Sequence, residues 1–118
     1  MQQELETITL FNNVRQWGID KGITGIGGKG NVFRQMDKVQ EEVTETKSAL
    51  NWHDNAKNDE ERQRAKLEVI DGIGDSLVTL ILLAEFIGVP AEECLESALT
   101  VIQQRTGTMI GGQFVKNA

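Results

Sequence analysis

Glu68-Val69-Ile70-Asp71-Gly72-Ile73-Gly74-Asp75-Ser76-Leu77-Val78-Thr79-Leu80-Ile81-Leu82-Leu83-Ala84 is the stretch that decides how this chain folds. Three acids at helical spacing run without a break into the most apolar segment of the sequence. Positions three or four apart share a helix face, so Asp71 lies one turn from both Glu68 and Asp75. Carboxylates stacked in this way repel. At the mouth of a buried helix they are costly unless something positive sits among them. The stretch therefore predicts a long helix, apolar over much of its surface, with one acidic side.

A second acid cluster, Glu41-Glu42-Val43-Thr44-Glu45, lies about one helix length upstream, with Glu41 and Glu42 each one turn from Glu45. Oxygen-only ligands at this density suit a hard divalent cation, Mg²⁺ with Mn²⁺ as a substitute, and through it phosphate chemistry. Either cluster alone reads most simply as a solvated helix face. The pair, joined to a buried helix, favours the metal.

The bulk composition is compatible with that chemistry. At 118 residues, with 25% charged and 39% hydrophobic residues, the chain is long enough for one domain. Its formal charge of −6 argues against general nucleic-acid binding. A phosphorylated small ligand remains compatible, because a bound metal reverses the local sign. The single cysteine, Cys94, forms no internal disulfide, fits a reducing cytoplasm, and reads as a packing residue in an amphipathic helix. The apolar run from Ile70 to Val89 is interrupted by Asp71, Asp75 and Glu85 and makes a poor membrane span. The acidic start, Met1-Gln2-Gln3-Glu4, does not read as a signal peptide.

Glycines and the one proline divide the chain into four helices, and the fold class is all-α. The first runs from Leu5 to Asp20, with Leu5, Ile8, Phe11, Val14 and Trp17 on one stripe. A flexible glycine-rich loop, Gly22 to Gly30, follows. It lacks both the preceding strand of a dinucleotide fingerprint and the Gly-Lys-Ser/Thr ending of a P-loop. The second helix starts near Asn31 as N-cap and continues to Trp52, burying Val32 or Phe33, Met36, Val39, Val43 and Leu50. The third spans Asp59 to Ile87, closed by Gly88. Pro90 opens the fourth, Ala91 to Thr106, with Leu95, Leu99 and Ile102 inward. The tail, Gly107 to Ala118, reads as a short hairpin or an extended arm. Gly72 and Gly74, inside the third helix, read as points of close helix packing beside the acids.

These residues resemble the all-α nucleoside triphosphate pyrophosphohydrolases of the MazG-like superfamily, which also contains the dimeric dUTPases. Gln35 to Glu45 matches the family's Glu-Glu-x-x-Glu element, and Gly74-Asp75-Ser76-Leu77-Val78-Thr79-Leu80 looks like its second element. The flanks Ala84-Glu85-Phe86-Ile87-Gly88-Val89 and Gln104 to Lys116 are similar as well, so the resemblance covers nearly the whole chain. One position departs from it: Gly72 stands where the family often has Glu. The ligand set on this helix is thus either Glu68 with Asp71 or Asp71 with Asp75, and Asp71 belongs to both.

The resemblance implies cleavage of an NTP or dNTP to the monophosphate and pyrophosphate, in nucleotide-pool house-cleaning. Glu42 and Glu45 on one helix, and Glu68, Asp71 and Asp75 on the other, are the expected metal ligands. Glu41 is expected as a further ligand or as the base that takes the water proton. Arg34, Lys38, Lys47, Arg105 and Lys116 are candidates for the triphosphate, the last two if the tail reaches a neighbouring chain. Trp52 is the expected stacking surface for the base, with Trp17 in the core. A homodimer or dimer of dimers is expected, both from the resemblance and because the apolar length of the third helix exceeds what three partners cover. The rival reading is a non-catalytic helical interaction or regulatory module whose acids are simply solvated. A di-iron carboxylate bundle is excluded, because His53, the only histidine, does not stand three residues after a glutamate.

Overall fold

Capping chemistry sets the element borders. In the computed structural model, which describes residues 1–118, α1 spans Gln2–Asp20, α2 Val32–Asp54, α3 Asp59–Ile87 and α4 Ala91–Ile102, followed by β1 (Gly107–Ile110) and β2 (Gln113–Lys116). The Asn31 side chain accepts from the backbone N–H groups of Phe33 and Arg34 at 2.9 and 3.1 Å. Two orphan donors at the start of α2 are thereby satisfied. Asn58 accepts from the Glu61 N–H at 2.8 Å ahead of α3, whose first turn carries Asp59, Glu60 and Glu61 at the positive end of the helix dipole. Gly88, at φ 81°, ends α3 in the left-handed conformation that a side chain resists. The chain turns by 99° between α3 and α4.

The sequence expectation holds for α3 and needs correction elsewhere. Helix α1 begins at Gln2 rather than Leu5, α2 runs on to Asp54, and α4 stops at Ile102 instead of Thr106. Thr106 is drawn into the hairpin that follows: Asn117 bonds to it through the backbone and through the side chain, each at 2.9 Å. The strands pair antiparallel with Met109 opposite Phe114. They turn at Gly111 and Gly112, φ 57° and 83°, the positive values that a two-residue hairpin loop requires. The fold is therefore mostly helical with one small sheet. The glycine-rich segment closes on its own backbone. Lys29 donates its backbone N–H to Gly22 O at 2.8 Å and Gly30 donates to Ile23 O at 3.0 Å, which ties the loop to itself.

Helix α3 is the hub. Helices α1, α2 and α4 each contact it, make no backbone-level contact with one another, and the hairpin contacts no helix. A two-pronged ion pair from Arg15 to Glu92, at 2.6 and 2.8 Å, links α1 to α4 through side chains. The α2–α3 seam is the most extensive in the chain, burying Gln35, Val39 and Ala49 of α2 and Ala65, Gly72 and Thr79 of α3. Most of the expected core is uncovered. Leu5, Ile8, Trp17, Met36, Val43, Leu50, Leu95, Leu99 and Ile102 are all at least 40% exposed. Val32 is half-buried and Phe33 exposed.

The physical reason is that α3 is apolar on more than one side while its own chain supplies little cover. The accessible surface is 9202 Å², against about 6,400 Å² for a compact monomer of this mass. The radius of gyration, 17.2 Å, likewise exceeds the roughly 13.5 Å usual for this length. No single helix is long and apolar enough to cross a membrane.

Candidate functional site

Three contacts fix how α2 and α3 lie against each other. Gln35 Nε2 donates to Thr79 O at 3.0 Å, Thr46 sits against Gly72, and the Trp52 indole N–H donates to Glu61 at 2.8 Å. Numbers rise along α2 as they fall along α3, so the helices are antiparallel. Gly72 is a point of very close approach: a methyl group there would overlap Thr46 Oγ1 and lie 3.1 Å from Thr46 Cβ. Thr46 is itself held by a 2.7 Å bond from its hydroxyl to Glu42 O. This register sets Glu42 against Asp75 on one side of the contact, and Glu45 against Glu68 on the other.

Two depressions result. Glu42 and Asp75 line a cavity of about 280 Å³ together with Trp17, Gln35, Lys38 and Thr79. Glu45 and Glu68 border a more open one of about 380 Å³ with Ser48 and Trp52. Glu42 is the electrostatic centre, its side chain only 13% exposed. Burial first, then the charges of Glu45 and Asp75, hold its carboxyl above the usual range, and Lys38 offsets this only in part. Lys38 divides its charge between Glu42 at 3.8 Å and Glu41 at 3.4 Å.

The other expected residues fall into place unevenly. Asp71 shares a side of α3 with Asp75 but is exposed and lines neither depression. Asp75 shares its depression with Glu42, and Glu68 shares the other with Glu45. No three His, Cys, Asp or Glu side chains gather closely enough to hold a metal ion as they stand; the acids face one another in pairs. Lys38 is the one expected cation in the cavity. Arg34 is 85% exposed and pairs with Asp37 at 3.2 Å. Arg105 follows α4, and Lys116 belongs to the hairpin, which touches no helix of this chain.

The two tryptophans border different depressions. Trp52 borders the Glu45–Glu68 depression with its indole N–H committed to Glu61, a bond that holds the Glu61 carboxyl below its usual range. Trp17, expected in the core, is 46% exposed. It walls the Glu42–Asp75 cavity and an adjoining one of about 420 Å³ that includes Leu10, Asn13 and Val78. Gln35 and Thr79 were also missed as site residues. Their signal is present in the sequence: Gln35, Val39, Glu42, Thr46 and Ala49 alternate spacings of four and three along one helix face. Nothing in the sequence singles out Trp17 from its apolar stripe. Comparison of the chain with protein-family models, with curated proteins and with solved structures finds no match.

Proposed function

We propose that the chain is a magnesium-dependent nucleoside triphosphate pyrophosphohydrolase of the MazG-like type, releasing pyrophosphate and a nucleoside monophosphate in nucleotide-pool house-cleaning. The observation that carries this reading is Glu42, mostly buried in the seam with Glu45 and Asp75 near enough to raise its carboxyl. An anion kept there is unfavourable by itself, and a hard cation is the usual remedy. The order of acids in the sequence, Glu41-Glu42-x-x-Glu45 and then Asp71 and Asp75, supports the same reading.

The donors are all oxygens and fit Mg²⁺, with Mn²⁺ as substitute. Glu42 with Asp75, and Glu45 with Glu68, would each hold an ion, with Asp71 as a further ligand. Bound there, the ions would neutralise phosphate charge and acidify a water molecule. The chain's own groups do the rest. Lys38 meets the phosphate tail, Trp17 or Trp52 offers a flat face to the base, and Glu41 accepts the proton of the attacking water. The working unit is a homodimer or a dimer of dimers, in a reducing cytoplasm.

A non-catalytic helical interaction module is the second reading, favoured by the pairing of acids without any group of three. One assay separates the two. Canonical and modified NTPs and dNTPs are incubated with the protein and Mg²⁺ or Mn²⁺, and pyrophosphate and monophosphate are measured. Metal-dependent release, lost at least 100-fold in Glu42→Gln and in Asp75→Asn with helicity intact, supports the hydrolase. No release from any nucleotide, or wild-type rates in both variants, rules it out.

A further inference from the structure

The hairpin and the apolar groove on the far side of α3 are the two features that the acid site leaves unused. Met109 and Phe114 are cross-strand partners and so share one face of the hairpin. They are 68% and 54% exposed, and the hairpin rests on no helix of its own chain. A lone two-stranded hairpin is marginal in water and needs a surface to pack on. The groove offers one. It has a volume of about 530 Å³ between α1, α3 and α4, and each of its eleven lining residues is hydrophobic, Phe11, Leu80, Ile87, Cys94 and Leu95 among them. From α4 the groove takes only Ala91, Cys94 and Leu95, while Glu93 and Glu96 line a separate depression and Glu92 is held by Arg15.

We propose that the hairpin is an exchanged arm: Met109 and Phe114 of one chain seat in the α1–α3–α4 groove of a second copy, which returns its own arm. The area on offer matches such an occupant. The excess surface over a compact monomer is about 2,800 Å² per chain, and obligate dimers bury roughly 1,000–2,500 Å² per partner. Apolar arm meets apolar groove. The groove lies at the first turns of α4 and the arm departs from its last turn, so reciprocal exchange encloses both grooves in one closed pair. This proposal rests on the pairing of chains proposed above and is independent of any hydrolase activity.

The native thiol is the reporter, since Cys94 is the only cysteine, is exposed, and lines the groove. Met109→Cys leaves Phe114 in place and puts a second thiol on the arm. Treatment with a short bis-maleimide is followed by denaturing electrophoresis and peptide mass spectrometry. The expected product is a covalent dimer joined between position 109 of one chain and Cys94 of the other, absent when Cys94→Ser is added. Sedimentation equilibrium of the untreated wild-type protein should return twice the 13.1 kDa of one chain, or four times it, and Phe114→Asp should weaken association at least 100-fold. A monomeric wild type overturns both the pairing and the arm. If the wild type associates but the Met109→Cys variant gives no cross-link between position 109 of one chain and Cys94 of the other, only links within one chain or between like positions, the arm alone is overturned.

Discussion

Replacing Gly72 and Gly74 by alanine, one at a time, should move stability in opposite directions although the residues are two apart on one helix. Each change relieves the cost of glycine in a helix interior, about 1 kcal/mol. At Gly74 nothing lies within 4 Å of the added methyl, so that gain stands alone and Tm should rise by roughly 4 °C. At Gly72 the methyl overlaps Thr46 Oγ1 and lies 3.2 Å from Thr46 Cα. The hydroxyl can rotate; the backbone cannot, so α2 must back away from α3. Overpacking of this kind costs about 2–3 kcal/mol, and the net loss of about 1–2 kcal/mol lowers Tm by roughly 4–8 °C. The two variants are compared by thermal unfolding at one fixed protein concentration, because association contributes to Tm. Equal shifts of the same sign would show that the helices do not meet at Thr46 and Gly72. The facing of Glu42 and Asp75 would then lose its structural basis.

Glu42→Gln should raise Tm at neutral pH in a chelating buffer and abolish any gain that Mg²⁺ confers on the wild type. The sign follows from linkage: a carboxyl held above its usual range by burial costs stability once ionised, and that cost is relieved as pH falls through its raised folded value. Thermal melts from pH 4 to 8 would check both parts. Glu92 behaves oppositely, because the Arg15 bond holds its carboxyl below the usual range. Its contribution is present above the ordinary carboxylate range and is lost as pH falls through the depressed value. A double-mutant cycle of Arg15→Ala and Glu92→Gln should give a coupling of about 1 kcal/mol at pH 7, trimmed by solvent because Glu92 is 37% exposed. Thr24→Val should stabilise the fold by about 1 kcal/mol, since the Thr24 hydroxyl is buried without a partner and valine keeps its shape; chemical denaturation would measure it.

Local chemistry made the helices legible. Asn31, Gly88 and Pro90 act at short range through caps and fixed dihedrals, and they stand where the sequence puts them. What a single sequence does not encode locally is which apolar stripe meets which neighbour. Leu5, Ile8 and Leu99 have the period of a buried face, yet period alone does not say whether the cover comes from the same chain. The site was legible to the same degree. Spacing shows that Asp71 shares a side with both Glu68 and Asp75, but choosing between them requires the inter-helix register. That register is set by Gly72 meeting Thr46, a contact between residues distant in sequence. Trp17 is ambiguous for a related reason: a tryptophan on an apolar stripe looks the same whether its outer edge is covered or borders a cavity.

The wheel-like connectivity, with every spoke packed on α3 and only the Arg15–Glu92 ion pair tying one spoke to another, bears on how the molecule comes apart. Detaching α4 takes with it the Arg15–Glu92 tie but none of the Gln35–Thr79 or Thr46–Gly72 contacts, and releasing α1 spares them equally. Backbone amides should therefore exchange with deuterium in tiers, the hairpin and α4 earliest and the middle of α2 and α3 last. The carboxylate pairs lie within the slowest tier, so their geometry outlasts the loosening of everything around them.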